Sequence, residues 1–104
     1  MKRNELLTRV KSSLRNIFGE RLRGVVLYGS EARGQAGPDS DLDFLVLLCG
    51  TVDRVADLWA CIHALYPIVL ELGRPIHAKP VDVTQYEAQK SPLYRAVRRE
   101  GILG

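Results

Sequence analysis

The sequence has little with which to staple itself together. Its 104 residues include two cysteines, Cys49 and Cys61, with neither C-x-x-C spacing nor a His/Cys cluster around them. That excludes a disulfide framework and a structural zinc site, and leaves both as core thiols. No stretch reaches the ~20 consecutive apolar residues of a membrane-spanning helix. The opening Met1-Lys2-Arg3-Asn4-Glu5 leads into a charged amphipathic pattern instead of a signal-peptide core, so the expectation is a cytoplasmic protein with no membrane role. Neither G-x-x-x-x-G-K-[ST] nor G-x-G-x-x-G occurs, which removes the P-loop and the dinucleotide fingerprint. Internal repeats, linkers and low-complexity tracts are also missing.

What is present suits one globular domain spanning 1–104. With 46% hydrophobic and 26% charged residues, the composition fits neither a disordered chain nor a fibre. The net charge of +3 is unevenly spread. Residues 1–34 carry eight Lys/Arg against three Glu, residues 35–74 two Arg against six Asp/Glu, and residues 75–104 five Lys/Arg against three Asp/Glu. An acidic middle between basic flanks suits a metal-phosphate site with cationic surroundings or a nucleic-acid surface. So small an excess of positive charge is usually a matter of solubility, and nucleic acid is not the favoured partner.

Leu6, Leu7, Val10, Leu14, Ile17 and Phe18 lie on one face of a helix that starts at Asn4 as N-cap and ends at Gly19. Gly24-Val25-Val26-Leu27-Tyr28 and Asp41 to Leu48 read as buried strands flanking a Gly/Pro loop. A second helix runs from Val52 to about Tyr66, with Thr51 as cap; Val55, Leu58, Trp59, Ile62, Leu65 and Tyr66 form its core stripe, and Pro67 ends or kinks it. The tract Ile68 to Val83 is ambiguous: Ile68 to Leu72 continues the helix or opens a strand, and Ile76 to Val83 alternates as a strand, with Pro80 marking an edge or a bulge. Ser91-Pro92 opens a last helix that Gly101 closes. The order α-β-β-α-β-α predicts an α+β fold layered like α/β, with helices packed against a small mixed β-sheet.

The chemistry concentrates in residues 29–43. Asp41 and Asp43 stand two apart at the start of a strand, so their carboxylates project from the same side. Two like charges beside an apolar strand are better explained by a cation than by stability, and hard oxygen donors suit Mg²⁺ or Mn²⁺. The plainer alternative is a turn at Asp39-Ser40-Asp41 with Asp43 merely exposed. Gly29-Ser30 follows a strand directly; glycine permits close backbone approach, free N–H groups and the Ser30 hydroxyl make a phosphate seat, and Arg33 adds a charged contact. By itself this signal is weak, because a strand-to-helix turn calls for glycine anyway.

Together, Gly29-Ser30-x-x-Arg33-Gly34 and Ser40-Asp41-x-Asp43 resemble the signature of the DNA polymerase beta-like nucleotidyltransferases, and the length resembles their minimal nucleotidyltransferase branch. The likeness covers residues 22–48 strongly and the rest only in element order and the closing Ser91-Pro92-Leu93-Tyr94 pattern. It implies a nucleotidyltransferase fold and transfer of a nucleoside monophosphate, AMP from ATP, to a hydroxyl. Gly29 and Ser30 would hold phosphates, and Asp41 and Asp43 would bind divalent ions. A third carboxylate on a neighbouring strand is also implied: Asp82 is the first choice, Glu71 its rival, and a degenerate site the remaining possibility. The resemblance further implies a small helical HEPN ribonuclease as partner. This chain would adenylylate that toxin, or neutralise it as a catalytically weak or silent antitoxin; a chain this short has little room for an acceptor-binding subdomain of its own, and a homo-oligomer is left open.

Other residues carry less. His63 and His77 lack partners at metal-ligand spacing and read as solvated or hydrogen-bonded, and Trp59 reads as core. Arg95, Arg98 and Arg99 share a helical face that suits an anionic partner or RNA, or is simply solvated.

Overall fold

The computed structural model describes all residues from Met1 to Gly104. Helix α1 (Arg3–Phe18) leads through one 3₁₀ turn (Gly19–Arg21) into β1 (Leu22–Tyr28). A loop connects to β2 (Leu42–Leu48), followed by α2 (Arg54–Leu72), β3 (Ile76–Asp82), the short α3 (Val83–Glu87), α4 (Pro92–Glu100) and β4 (Ile102–Leu103). The sheet order is β3-β2-β1-β4. The β1/β2 and β1/β4 pairs are antiparallel and β2/β3 is parallel, so the chain needs the long crossover that α2 supplies. This is the expected layered α+β architecture, with α3 and β4 added to it.

Alternation along the strands sorts the core into two faces. Val25, Leu27, Leu42, Phe44, Val46 and Leu48 pack with Leu6, Leu7, Val10, Leu14 and Phe18 of α1 and with Cys61, Leu65 and Ile68 of α2. Val26, Leu45, Leu47 and Val81 meet Tyr86 of α3 and Val97 of α4 on the other face. A register shift between Leu22 and Gly24 lets Leu22 join the first face despite its parity. Burial lifts the Cys61 thiol to about 12, which keeps it an inert core group.

Helix α2 departs from expectation in three ways. Asp53, not Thr51, is its N-cap, accepting from the amides of Val55 and Ala56. Pro67 does not end it: of the two readings of Ile68 to Leu72 the helical one holds, and the helix runs on to Leu72, where Gly73 closes it in the left-handed region. The inner face is Cys61, Leu65 and Ile68, and Ile68 anchors the turn beyond the proline. Val55, Leu58, Ile62 and Tyr66 lie outside, and Trp59, expected in the core, is 56% exposed. Apolar residues surround this helix, and periodicity cannot choose among its faces; by length and composition alone it would reach across a membrane. Helix α1 similarly starts two residues early, with Lys2 rather than Asn4 at the cap position and no side-chain cap bond.

Asp57, the one buried charged residue, ties α2 to the 3₁₀ turn. Arg21 donates from Nη1 to Oδ1 at 3.1 Å and from Nη2 to Oδ2 at 2.9 Å, and the Asp53 amide adds a third bond at 3.0 Å. The Arg21 hydrogen bond holds the Asp57 carboxyl below the usual carboxylate range against the opposing effect of burial. A depressed folded-state pKa contributes stability above pH ~4 that is lost as pH falls through the folded value. Because Arg21 is partly exposed, Asp57→Asn should cost about 2 kcal/mol at pH 7, less than a fully buried pair would. Thermal melts should show that deficit shrinking at pH 3.5; an unchanged deficit there would refute the electrostatic account.

Candidate active site

The antiparallel ladder pairs Tyr28 with Asp43, so the end of β1 and the start of β2 share one corner of the sheet. Asp43 has the parity of Leu45 and Leu47 and therefore faces the α3/α4 side. Asp41, two residues earlier, shares that side at a Cα separation of about 6.6 Å for extended chain. Burial raises the Asp43 carboxyl above the ordinary range; the His77 charge opposes this, and the Asp41 charge adds to it. Tyr28 is raised as well, by burial and then by Asp43. Asp43 accepts no hydrogen bond from a protein donor, and the sole side-chain partner of Asp41 is His77, with Nε2 2.9 Å from Oδ2.

Gly29 makes this corner possible. Its φ is +77°, in the region that favours glycine, and a Cβ there would lie 2.6 Å from Asp43 Oδ2. The backbone thus passes directly against the carboxylate. Residues 29–34 form consecutive turns and no helix follows β1; the turns are closed by Arg33 N to Gly29 O at 3.2 Å and Gln35 N to Ser30 O at 2.9 Å. The amides of Ser30, Glu31 and Ala32 make no hydrogen bond to a protein acceptor, leaving three donors beside the Ser30 hydroxyl.

Arg74, unnoticed in the sequence, clamps both ends of the loop. Its Nε donates to Ser40 O at 2.9 Å and its Nη2 to Glu31 Oε2 at 3.1 Å, with both side chains largely covered. Arg3 adds a bond to Glu31 O at 3.0 Å. Arg33 is turned to Gln35 Oε1 at 3.2 Å and Glu100 Oε2 at 3.5 Å, an exposed arrangement.

The structure brings Gly29, Ser30, Asp41 and Asp43 together and leaves both proposed third carboxylates elsewhere. Asp82 pairs with Leu48, at the far end of β2 from Asp43. The five residue steps between those positions amount to about 16 Å of strand. Its parity is that of Ile76 and Ala78, which pack on the α1/α2 face, and its carboxylate accepts from the Thr84 amide at 2.8 Å as the N-cap of α3. Glu71 sits on α2, in the opposite layer, paired with Arg9. The β3 residue beside Asp43 is His77. As the side chains stand, no three carboxylate, imidazole or thiol groups surround one point. One cavity of about 620 Å³ lies between the sheet and α3/α4, and another of about 640 Å³ runs along β3 beside the start of α2; neither is lined by Gly29, Asp41 or Asp43.

A family model for the nucleotidyltransferase domain matches residues 7–101. The chain belongs to the nucleotidyltransferase domain family. Solved structures agree on the fold. A toxin–antitoxin crystallised with AMP-PNP superposes with a TM-score of 0.68 at 21% identity, over 92% of this chain and 69% of that one. A mutant of the MntA–HpeT toxin–antitoxin gives 0.61 at 19%, over 100% and 72%. A protein from Shewanella oneidensis gives 0.57 at 16%, over 96% and 70%. No curated protein matches this nucleotidyltransferase domain by sequence. Its two strand aspartates fit a divalent cation by donor chemistry: hard oxygens, one of them a half-buried carboxylate whose ionised form burial and Asp41 disfavour.

Proposed function

We propose that the protein transfers AMP from ATP to a hydroxyl on a partner protein, with Mg²⁺ or Mn²⁺ held by Asp41 and Asp43. The observation that carries this reading is the juxtaposition of two same-face strand carboxylates with the Gly29-Ser30 turn and its free amides. Ser30, Glu31 and Ala32 offer backbone donors, and Ser30 a hydroxyl, to the terminal phosphates. Gly29 lets those phosphates approach within reach of Asp43. Arg33 adds a cationic contact by exchanging its exposed Glu100 pairing, which costs little. The bound cation supplies charge neutralisation at the attacking and leaving oxygens. The clamp by Arg74 holds the phosphate turn and the aspartate strand in one frame.

The partner we propose is a small helical toxin of the HEPN class, in the cytoplasm where ATP is available. Two of the similar solved structures are toxin–antitoxins. The outer side of α2 also exposes Val55, Trp59, Ile62, Tyr66 and Leu70, an apolar stripe of the kind that marks protein contacts. A second reading, a catalytically silent antitoxin, is favoured by one observation: no carboxylate stands at the β3 position beside Asp43.

The test is co-purification with the neighbouring gene product, then incubation with α-³²P-ATP and Mg²⁺ or Mn²⁺. Label on the partner is the expected result. A stable complex without label supports the silent reading. Label on RNA or a small molecule, with no partner recovered, defeats the partner and leaves nucleotidyl transfer standing.

A further inference from the structure

We infer that His77 is the third protein ligand of the cation site and shifts its preference from Mg²⁺ toward Mn²⁺. This rests on the cation-dependent reading above. The parallel β2/β3 ladder sets His77 directly beside Asp43, and its parity matches Val81, which packs on the α3/α4 side with Leu45 and Leu47. Asp41, Asp43 and His77 therefore share one face at one end of the sheet. The imidazole already meets one of the aspartates, with Nε2 2.9 Å from Asp41 Oδ2, and no other side chain bonds to either carboxylate. The ladder fixes the Cα positions of Asp43 and His77, and Asp41 lies one residue before its first pair, so gathering the donors around an ion is a matter of rotamers and of the last residue ahead of β2. The remaining acidic candidates are excluded by place: Asp82 faces the other layer and caps α3, and Glu71 is held by Arg9.

Two carboxylates and an imidazole form a different donor set from three carboxylates. Mg²⁺ demands hard oxygen ligands and gives up water reluctantly, whereas imidazole suits first-row transition ions and Mn²⁺ accepts both donor types. The competing role for His77 is that of a counter-ion, which would be displaced when a metal cation arrives. A ligand stays, and its nitrogen couples to the metal. Because most sites bind Mn²⁺ more tightly than Mg²⁺, the Mn²⁺/Mg²⁺ affinity ratio alone decides nothing; its change on substitution does.

The experiment uses the full chain with MnCl₂ or MgCl₂ as the only added ligand, in calorimetric titrations and pulsed EPR of the bound Mn²⁺. Wild type should show ¹⁴N modulation from a directly bound imidazole, replaced by ¹⁵N features after histidine labelling. His77→Ala should lose that signal and weaken Mn²⁺ binding at least ~10-fold. His77→Asp should lose the nitrogen signal yet restore Mg²⁺ binding, lowering the Mn²⁺/Mg²⁺ affinity ratio about tenfold. His77 is exposed, so both variants should keep the wild-type circular dichroism spectrum. Mn²⁺ bound in an Asp43-dependent way without nitrogen coupling would overturn the ligand role and leave the cation site intact. Mn²⁺ binding indifferent to Asp43→Asn would overturn the cation site itself, and the assignment of His77 with it.

Discussion

Asp43→Asn should abolish nucleotidyl transfer, with a loss of about 10³-fold or more, in a protein that melts at or above the wild-type temperature. The two effects have one cause. Burial and the Asp41 charge raise the Asp43 pKa, so its ionised form is less favourable in the folded chain than in the unfolded one, and ionisation at neutral pH subtracts from stability. The sign is opposite to that of Asp57, whose pKa is depressed. Asparagine removes the charge at nearly constant volume and relieves that cost, but it also removes an anionic ligand. In the wild type, Mg²⁺ with ATP should raise the melting temperature through linkage, and in Asp43→Asn that rise should vanish. Thermal melts with and without metal and nucleotide, run beside the label-transfer assay, check both halves. An equal rise in wild type and variant would remove Asp43 from the site; a variant that failed to fold would contradict the sign of its electrostatics.

The second large effect is expected at Gly29. An alanine there takes a left-handed φ at a cost of about 1–2 kcal/mol and drives its Cβ to 2.6 Å from Asp43 Oδ2. The turn or the carboxylate must shift, and either movement separates the phosphate seat from the aspartates. Gly29→Ala should therefore lose about 2–3 kcal/mol of stability and most of the nucleotide-linked thermal shift. The two causes separate in a double-mutant cycle. In an Asp43→Ala background the carboxylate is gone and the nearest remaining atom, Asp43 Cβ, is at an ordinary 3.6 Å, so Gly29→Ala should then cost only the φ strain. An equal cost in both backgrounds would show that the carboxylate does not press on this backbone.

The site was legible where its logic is local. Gly29-Ser30 and Asp41-x-Asp43 lie within fifteen residues of one another, and the alternation of a strand is enough to place both carboxylates on one face. The Ser91-Pro92 start and Gly101 end of α4 are local too, since each depends on a side chain or ring acting on its own backbone. Arg74 was not legible: Ser40 and Glu31 lie 34 and 43 residues away, and nothing in an isolated arginine announces which loop it will clamp.

What the amino-acid sequence determined by itself, then, is the set of elements with a local cause: two core strands, a glycine-bearing turn between them, paired aspartates at the mouth of the second, a first helix stopped by Gly19, and a last helix opened by Ser91-Pro92 and closed by Gly101. Tertiary structure alone decided two things. One is the outward face of α2, because a helix apolar all round is oriented only by what it packs against, here through Cys61, Leu65 and Ile68. The other is the neighbour of Asp43. With a side-chain period of two, the alternating tract Ile76 to Asp82 offers either parity and any register, and only the parallel ladder with β2 sets His77 beside Asp43 and sends Asp82 to the opposite face and the opposite end.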